Sequence, residues 1–184
     1  YKSDYWGAYK GATDPGEAFF QRRLPKNVSM IEQLEPILRP GLRVLEIGTG
    51  VGAMLWMIKR ACGDEGEFVG VEPHEGHARF ARQKKGLDVR AGLLEERAGE
   101  LPREHFDLVL MNHVLEHTIS PTATLRTVRE LLRPGGHFVI EVPNVEQPGS
   151  RLSHYFHVAH NYAFSPQTLR RLALATGYDV CLLY

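Results

Sequence analysis

The chain has 184 residues, of which 43% are hydrophobic and 24% charged. This composition predicts one globular domain, because so short a chain leaves little room for two. Lys plus Arg and Asp plus Glu both number 22, and this balance argues against a nucleic-acid-binding surface, which needs a basic excess. The two cysteines form no disulfide framework, and no apolar run is long enough to span a membrane. A cytoplasmic protein without a membrane segment is therefore expected.

Segments typical of helices and strands alternate along most of the chain. The pattern first predicts one or two helices between residues 17 and 38. Apolar runs bounded by turn residues then predict six strands, at 42–47, 67–72, 87–91, 106–111, 137–142 and 178–184. Helices are predicted between them, and Ser120 and Ser165, each followed by proline, are typical helix caps. This alternation predicts a doubly wound, mostly parallel α/β sheet, which binds ligands at the carboxyl ends of its strands.

The first predicted strand leads into the glycine-rich stretch VLEIGTGVGA. Gly48 and Gly50 allow a tight turn close to a ligand, and the helix that follows offers free N–H groups at its start. The spacing also fits a dinucleotide fingerprint, and Glu72 falls about where that fingerprint has its ribose-binding acid. On this pattern alone, a nicotinamide-dependent dehydrogenase is an alternative.

Glu46 argues against a dinucleotide. Its carboxylate stands two residues before the first glycine, where it would repel a pyrophosphate. A ligand that carries a cation suits this position, and S-adenosylmethionine has both an amino group and a sulfonium. Glu72 would then accept hydrogen bonds from the two ribose hydroxyls, with Pro73 and His74 beside the adenine. In the alternative interpretation, Glu46 is a partly buried acid that caps a helix.

Taken together, the motifs resemble those of class I S-adenosylmethionine-dependent methyltransferases over residues 42–178. The similar stretches are VLEIGTGVG, FVGVEP, FDLVLMNHVLEH and LLRPGGHFVIEVPN, in the family's order and spacing. The resemblance, to the small-molecule and ubiquinone-pathway type, implies a Rossmann-like fold. It divides a single methyltransferase domain, residues 1–184, into an N-terminal helical lid (1–40), a cofactor-binding core (41–147), and a lid segment with a helix and the sixth strand (148–184).

The resemblance also implies which residues bind the cofactor: Glu46, Gly48, Thr49, Gly50, Gly52, Glu72, Pro73, Gly92, Leu93, Leu94, Asn112 and His113. Many relatives carry an acid after the glycine of the third-strand loop, where this chain has Leu93. Adenine recognition is therefore expected to depend on backbone groups and on Leu94. The family sheet has a seventh strand between the fifth and the sixth. Either the sheet lacks this last strand in the present chain, or something else completes its edge.

The reacting centre is expected at NHVLEH, which follows the fourth strand. Asn112 is predicted to cap a short helix that carries His113, Glu116 and His117 on one face. Three interpretations stay open. In the first, His117 or His113 is a general base for an acceptor hydroxyl. In the second, these side chains bind a divalent ion, as the resemblance to metal-linked relatives implies. In the third, Glu116 and His117 only hold the loop to the sheet.

Three further histidines, His154, His157 and His160, stand at every third position of SHYFHVAHNYAFSP. At helical or extended spacing the outer two are too far apart for one ion to bind all three. His160 is the one expected to face the pocket, because HNYAFSP resembles a stretch common in relatives, and it joins the catalytic candidates. A metal ion is not expected, but if one is present its predicted ligands are His113, Glu116, His117 and His160.

Aromatic residues crowd the two lid segments, which suits a small organic acceptor or a sugar. The expected function is methyl transfer from S-adenosylmethionine, with an oxygen as the preferred acceptor atom. The alternatives are N-methylation, RNA methylation, and a cofactor-binding domain without transfer activity. The expected partner is a small molecule rather than a nucleic acid, and the oligomeric state stays open.

Overall fold

Five parallel strands form the centre of the structure, a computed structural model in which residues 16–147 and 160–182 are described. The strands are β1 (Arg43–Ile47), β2 (Glu67–Glu72), β3 (Asp88–Ala91), β4 (Phe106–Asn112) and β5 (Leu132–Glu141). They lie in the order β3-β2-β1-β4-β5, and every neighbouring pair is parallel. The order therefore reverses at β1 and β4, which opens a crevice at the carboxyl ends of these two strands. The predicted doubly wound sheet is confirmed.

Helices connect the strands and cover the sheet. They are α1 (Gly16–Leu34), α2 (Ala53–Cys62), α3 (Glu75–Lys85), α4 (Leu94–Arg97), α5 (Pro121–Leu131) and α6 (Pro166–Ala175), with 3₁₀ turns at Glu35–Ile37, Ala98–Glu100 and Leu115–His117. The predicted caps are present, since Ser120 accepts a hydrogen bond from the N–H of Ala123 and Ser165 from that of Thr168. Among the helices of the described residues, none is long and apolar enough to span a membrane.

Alternate residues of the central strands pack against opposite faces of the sheet. Leu45 of β1 and Val109 of β4 belong to one hydrophobic cluster, to which α5 contributes. Their neighbours Val44 and Leu108 belong to a second cluster, to which α2 contributes. Because both faces are buried, these strands consist of almost uninterrupted apolar residues. The polar side chains at the ends of these strands are therefore exceptions, and those at the carboxyl ends lie at the edge of the sheet where a ligand can bind.

The sixth strand predicted at 178–184 is wrong for the residues described there. Residues 178–182 form no strand, and no described strand pairs with the outer edge of β5. An apolar pattern is not sufficient, because a strand also needs a neighbour that satisfies its backbone groups. Tyr178 instead packs on Phe138, with ring centroids 5.3 Å apart, and donates its hydroxyl to the carbonyl of Leu125 at 2.7 Å.

The amino-terminal edge of the sheet is held by one carboxylate, Asp107 of β4, which is 6% exposed. Its Oδ2 accepts hydrogen bonds from the backbone N–H and from Nε of Arg43, both at 3.0 Å. Its Oδ1 accepts from Nη2 of Arg39 at 3.4 Å and from Nε of Arg133. Burial alone would raise the pKa of Asp107, but the hydrogen bonds from Arg43 and Arg133 lower it well below its ordinary value. This carboxylate ties β1, β4 and the start of β5 together.

We expect Asp107→Asn to lower the free energy of unfolding by about 2 kcal/mol near neutral pH, because a hydrogen bond to a charged group contributes about 1.5–3 kcal/mol. The pKa of Asp107 is depressed in the folded protein. Its stabilisation is therefore complete above the unfolded pKa of about 3.9 and is lost as the pH falls towards the folded value. Urea unfolding across this range measures the effect, with the exposed Asp88→Asn as control. A difference from the wild type that does not shrink in acid would contradict this role.

Candidate functional site

The loop between β1 and α2 is hydrogen-bonded to the end of β2. The N–H groups of Gly48 and Thr49 both donate to the carbonyl of Val71, at 2.8 and 3.2 Å. The hydroxyl of Thr49 donates to the carbonyl of Glu46 at 2.9 Å. Gly52 completes the turn, because its N–H donates to the carbonyl of Thr49 at 3.0 Å. The predicted glycine-rich turn is thus held in place at the carboxyl edge of β1.

Two glycines of this loop are needed for different reasons. Gly48 has a φ of 75°, and a Cβ built on it would meet Cγ2 of Val114 at 2.3 Å. The turn after β4 therefore packs directly on the turn after β1. Gly50 has a φ of 57°, and nothing lies within 4 Å of a Cβ built on it. As far as the described residues show, no side chain stands in the way of a ligand that approaches the backbone at Gly50.

Glu46 lies at the base of the loop and is 3% exposed. Its Oε2 accepts a hydrogen bond at 3.2 Å from the N–H of Leu55, in the first turn of α2. Burial raises the pKa of Glu46 to about 8; the bond from Leu55 and the charge of Arg23 oppose this rise, while the charge of Glu72 adds to it. The helix contact of the alternative interpretation is therefore present. It uses only one of the two oxygens, which leaves Oε1 for a ligand.

Glu72, the last residue of β2, is oriented by two backbone donors. Its Oε2 accepts from the N–H of Gly50 at 2.7 Å, and its Oε1 accepts from the N–H of His74 at 2.8 Å. The Nδ1 of His77 lies 3.8 Å from Oε1. Each carboxylate oxygen has a further lone pair, so that Glu72 can accept two more hydrogen bonds. The predicted neighbour Pro73 is half-buried beside it.

The loop after β3 borders the same edge of the sheet. The N–H of Gly92 donates to the carbonyl of Glu72 at 2.9 Å. The N–H of Leu93 donates to Oε2 of Glu96 at 2.9 Å, and the Leu93 residue is half-buried. Leu94 is only 4% exposed and belongs to the hydrophobic core. Of the two leucines predicted to border an adenine, Leu94 therefore supports the loop from within, and Leu93 keeps accessible surface.

The end of β4 differs from the prediction. Asn112 does not cap a helix but is the last residue of β4 and pairs with Glu141 in the sheet. The N–H of His113 then donates to the carbonyl of Glu141 at 2.8 Å, and His113 turns the chain with a φ of 53°. Because the strand pairing continues through Asn112, only the short 3₁₀ turn Leu115–His117 follows. The Oδ1 of Asn112 is buried and has no hydrogen-bond partner among the described residues.

Glu116 is the most deeply buried carboxylate of the site, at 1% exposure. In the part of the chain that the structure describes, neither of its side-chain oxygens has a hydrogen-bond partner. Two imidazoles lie near its Oε1, with Nδ1 of His113 at 3.4 Å and Nε2 of His117 at 3.9 Å. A buried carboxylate without hydrogen bonds is costly. This position therefore favours a protonated imidazole, an ion or a ligand donor beside Glu116.

A segment that precedes α6 brings His160 to this turn. The N–H groups of Asn161 and Tyr162 both donate to the carbonyl of Glu116, at 2.8 and 3.1 Å. The side-chain amide of Asn161 donates to the carbonyl of His117 at 3.0 Å. The rings of His117 and His160 consequently lie edge to face, with centroids 4.9 Å apart. The structure thus brings together two of the three catalytic candidates.

Among the described residues, one group of side chains could bind a metal ion: Glu116, His117 and His160, whose donor atoms all lie within 4.8 Å of one another. One carboxylate and two imidazoles suit zinc, manganese or iron, and the unpartnered oxygens of Glu116 fit an ion at this place. His113, the fourth predicted ligand, is not part of this group. Outside the described residues lie the two other histidines of the predicted segment, His154 and His157.

His113 and His117 have different surroundings. The side chain of His113 is 48% exposed and lies between two carboxylates, because its Nε2 is 3.7 Å from Oε1 of Glu141. The carboxylate of Glu116, 3.4 Å from Nδ1 of His113, is the main cause that raises the pKa of His113; burial opposes the rise, and the charge of Glu141 adds to it. A raised pKa favours the protonated imidazole, which cannot accept another proton. His117, 17% exposed and beside His160, is the better placed base.

Sequence patterns do not reveal three residues of the site. Asn161 and Tyr162 anchor His160 through bonds to a distant turn, and no local signal indicates such bonds. The third is Arg23 of α1, whose charge lowers the pKa of both Glu46 and His113. The effect of Arg23 depends on how α1 packs on the domain, which no local sequence pattern indicates.

Comparison with known proteins agrees with this geometry. A family described as a methyltransferase domain matches residues 19–183. A ubiquinone biosynthesis O-methyltransferase from Ruegeria pomeroyi is 35% identical over 99 residues, which cover 52% of this chain and 39% of that protein. A ubiquinone/menaquinone biosynthesis C-methyltransferase from a Shewanella species is 28% identical over 107 residues, or 55% of this chain and 43% of that protein. The chain therefore spans less than half the length of these curated relatives.

A similar solved structure is that of a SAM-dependent methyltransferase from Archaeoglobus fulgidus. It superimposes with a TM-score of 0.69 at 23% identity, over 95% of this chain and 73% of the other. This likeness shows the fold, and together with the family match it confirms the predicted resemblance. The predictions of a methyltransferase, and of S-adenosylmethionine as its cofactor, are confirmed at the level of the family.

Proposed function

We propose, from the premise that the chain belongs to the methyltransferase domain family, that it transfers a methyl group from S-adenosylmethionine to an oxygen of a small-molecule acceptor. One observation carries the proposal: the turn that bears His117 packs on the glycine-rich loop, through Val114 against Gly48. An imidazole is thereby held next to the loop that would carry the cofactor. A hydroxyl must lose its proton as it is methylated, and a nearby imidazole suits that task.

The acids at the ends of β1 and β2 support the proposed cofactor, because each could bind a different part of it. Glu46 would accept a hydrogen bond from the ammonium of the methionine end through its Oε1. The Oδ1 of Asn112 is a second acceptor at that end, since it is buried and has no partner among the described residues. Glu72, oriented by the N–H groups of Gly50 and His74, would accept hydrogen bonds from both ribose hydroxyls. These groups match S-adenosylmethionine: Glu46 and Asn112 are two acceptors for its ammonium, and Glu72 is an acceptor for both hydroxyls of its ribose.

When bound, the cofactor would supply an electrophilic methyl carbon to the acceptor oxygen and would leave as a neutral thioether that keeps the electron pair of the carbon–sulfur bond. His117 accepts the proton that the acceptor hydroxyl loses. The carboxylate of Glu116, 3.9 Å from Nε2 of His117, stabilises the imidazolium that results. His160 lies edge to face against His117 and restricts the orientation of that ring.

A metal-assisted form of the same reaction is the second candidate, and the group of Glu116, His117 and His160 is the observation that favours it. These residues would hold the ion, which would lower the pKa of an acceptor hydroxyl as a Lewis acid. The two candidates make different use of His117. As a metal ligand it could not take the proton, whereas as a base it must stay uncoordinated.

We expect the affinity for S-adenosylmethionine to rise with pH up to about 8 and then to level off. The pKa of Glu46 is raised to about 8, so that its carboxyl is largely protonated near neutral pH in the free protein. An ammonium binds the ionised form, and the affinity should therefore rise by up to about tenfold per pH unit below that pKa. Isothermal titration calorimetry in two buffers of different ionisation enthalpy measures both the Kd and the proton that is released.

The matched variant is Glu46→Gln, which keeps an acceptor for the N–H of Leu55 but has no carboxyl to titrate. It should bind more weakly and with no pH dependence over the same range. Wild-type affinity that is equal two pH units below 8 and at 8 would contradict an ammonium site at Glu46.

We expect His117→Ala to lower the rate of methyl transfer by about 10²–10⁴-fold, the usual contribution of a general base. The measurement is transfer of a labelled methyl group from S-adenosylmethionine to a panel of hydroxyl, amine and carbon acceptors. His137→Ala, on the exposed side of β5, is the control and should leave the rate unchanged. A loss of less than about threefold for His117→Ala would show that no essential proton transfer depends on it.

We expect protein freed of metal by a chelator to keep its methyl-transfer rate, since His117 can serve as the base without an ion. Elemental analysis must first show that the protein holds no metal. If the rate is instead lost and returns with zinc or manganese, the metal-assisted reaction is correct. In that case Glu116→Gln should abolish both the metal content and the recovery.

A further inference from the structure

A buried histidine, His77, stands beside the acid proposed to bind the ribose. The residue is only 4% exposed, and its Nδ1 lies 3.8 Å from Oε1 of Glu72. The same oxygen accepts the N–H of His74, whereas Oε2 of Glu72 accepts the N–H of Gly50 in the glycine-rich loop. Methyl transfer itself gives no reason for a buried imidazole at this place.

Contacts to the backbone and to the ring of His77 fix its orientation. Its backbone N–H donates to Nδ1 of His74, the residue that caps α3, at 3.2 Å. The ring centroids of these two histidines lie 4.3 Å apart. The ring of Phe19, from α1, stacks on the same imidazole, with centroids 6.0 Å apart and 20° between the planes. Because two rings pack against it, the imidazole has little freedom to turn away from Glu72.

Phe19 is held in place by the packing of its neighbour Phe20. Phe20 is 1% exposed and belongs to one hydrophobic cluster with Val51 of the glycine-rich loop and Phe80 of α3. The rings of Phe20 and Phe80 lie 6.2 Å apart between centroids. The start of α1 is thus fixed against both α3 and the loop. The stack of Phe19 on His77 therefore connects α1 to the neighbour of the ribose acid.

The orientation of the Glu72 carboxylate depends on its neighbours. The last torsion of a glutamate side chain has only a broad preference of its own, and Glu72 is 3% exposed, so that little water surrounds it. Its two backbone donors leave a further lone pair on each oxygen, and both lone pairs must face the ribose if both hydroxyls are to bind. An N–H or an imidazolium at Nδ1 of His77 attracts Oε1 and opposes rotation of the carboxylate.

We infer that His77 positions the carboxylate of Glu72 for the two ribose hydroxyls of S-adenosylmethionine. The inference rests on the proposed function, in which Glu72 binds the ribose. In this role His77 acts through Glu72 rather than on the cofactor. Its effect on affinity therefore requires both the hydroxyls of the ligand and the carboxylate of the protein. A histidine that only filled space would affect the binding of every ligand alike.

The test compares S-adenosylhomocysteine, the product of methyl transfer, with its 2′,3′-dideoxy form, which lacks both ribose hydroxyls, by calorimetry on the same protein preparations. His77→Leu removes the ring nitrogens and should weaken binding of S-adenosylhomocysteine by about tenfold, as expected for coupled neighbours. It should change the affinity for the dideoxy ligand by less than about threefold. His77→Asn should restore most of the affinity, because its amide supplies an N–H donor near the position of Nδ1.

A double-mutant cycle separates positioning from packing. Glu72→Gln should itself weaken binding of S-adenosylhomocysteine, and in that background His77→Leu should add less than about threefold. Losses that multiply in the double variant overturn the positioning role. An equal loss for both ligands, or no loss for either, overturns it as well.

The matched control is His105→Leu. His105 also stands beside a glutamate, with its Nε2 2.6 Å from Oε2 of Glu67, but at the amino end of the sheet. This variant should leave both affinities unchanged. Phe19→Leu removes the stacked ring and should reproduce part of the loss for S-adenosylhomocysteine alone, which tests the same role if His77→Leu does not fold. Failure of the proposed function is distinct, because the wild-type protein would then bind neither ligand.

Discussion

Glu46, Glu72 and Glu116 all lie at the carboxyl edge of the sheet with 3%, 3% and 1% of their surface exposed, and a carboxylate removed from water is stable only where donors or cations replace it. The groups that replace water around the carboxylate differ among these three glutamates. Among the described residues, Glu72 has a backbone donor on each oxygen, Glu46 has one donor on one oxygen, and the oxygens of Glu116 have no donor. In the proposed function, a cation completes each of the two unsatisfied positions: the ammonium of the cofactor at Glu46, and an imidazolium or a metal ion at Glu116.

Two packing contacts join these acids into one site. Val114 lies against Gly48, so the turn with the imidazoles cannot move away from the glycine-rich loop without opening a gap. The N–H groups of Asn161 and Tyr162 use the carbonyl of Glu116 as their common acceptor, which fixes the approach to α6 on the same turn. The glycine-rich loop, the turn that bears Glu116 and His117, and the approach to α6 are therefore in contact with one another, and contacts between residues far apart in the chain set their positions.

Because contacts between distant residues set these positions, the sequence could predict some features of the site and not others. The glycine-rich turn and the acids Glu46 and Glu72 were predictable because strand ends and the glycines after them are local features. The cap expected of Asn112 was wrong because pairing between β4 and β5 extends the strand, and local pattern does not report pairing. The sixth strand failed for a similar reason, since apolar alternation does not supply a neighbouring strand. Arg23 and Asn161 act across the fold, through helix packing and distant carbonyls, and no single stretch of sequence contains that information.

The charges of the proposed reaction fit this arrangement. In that reaction the sulfonium of the cofactor would become a neutral thioether, and the base that takes the proton would gain a positive charge. With His117 as the base, the positive charge would pass from the cofactor to its imidazole. The buried carboxylate of Glu116 lies 3.9 Å from Nε2 of His117 and has no hydrogen-bond partner among the described residues. An imidazolium at His117 would therefore stabilise this carboxylate, and the carboxylate would stabilise the imidazolium. In the proposed reaction, the imidazolium that forms would therefore offset the cost of burying Glu116 without partners, and stabilisation of the transition state is what raises the rate of an enzyme.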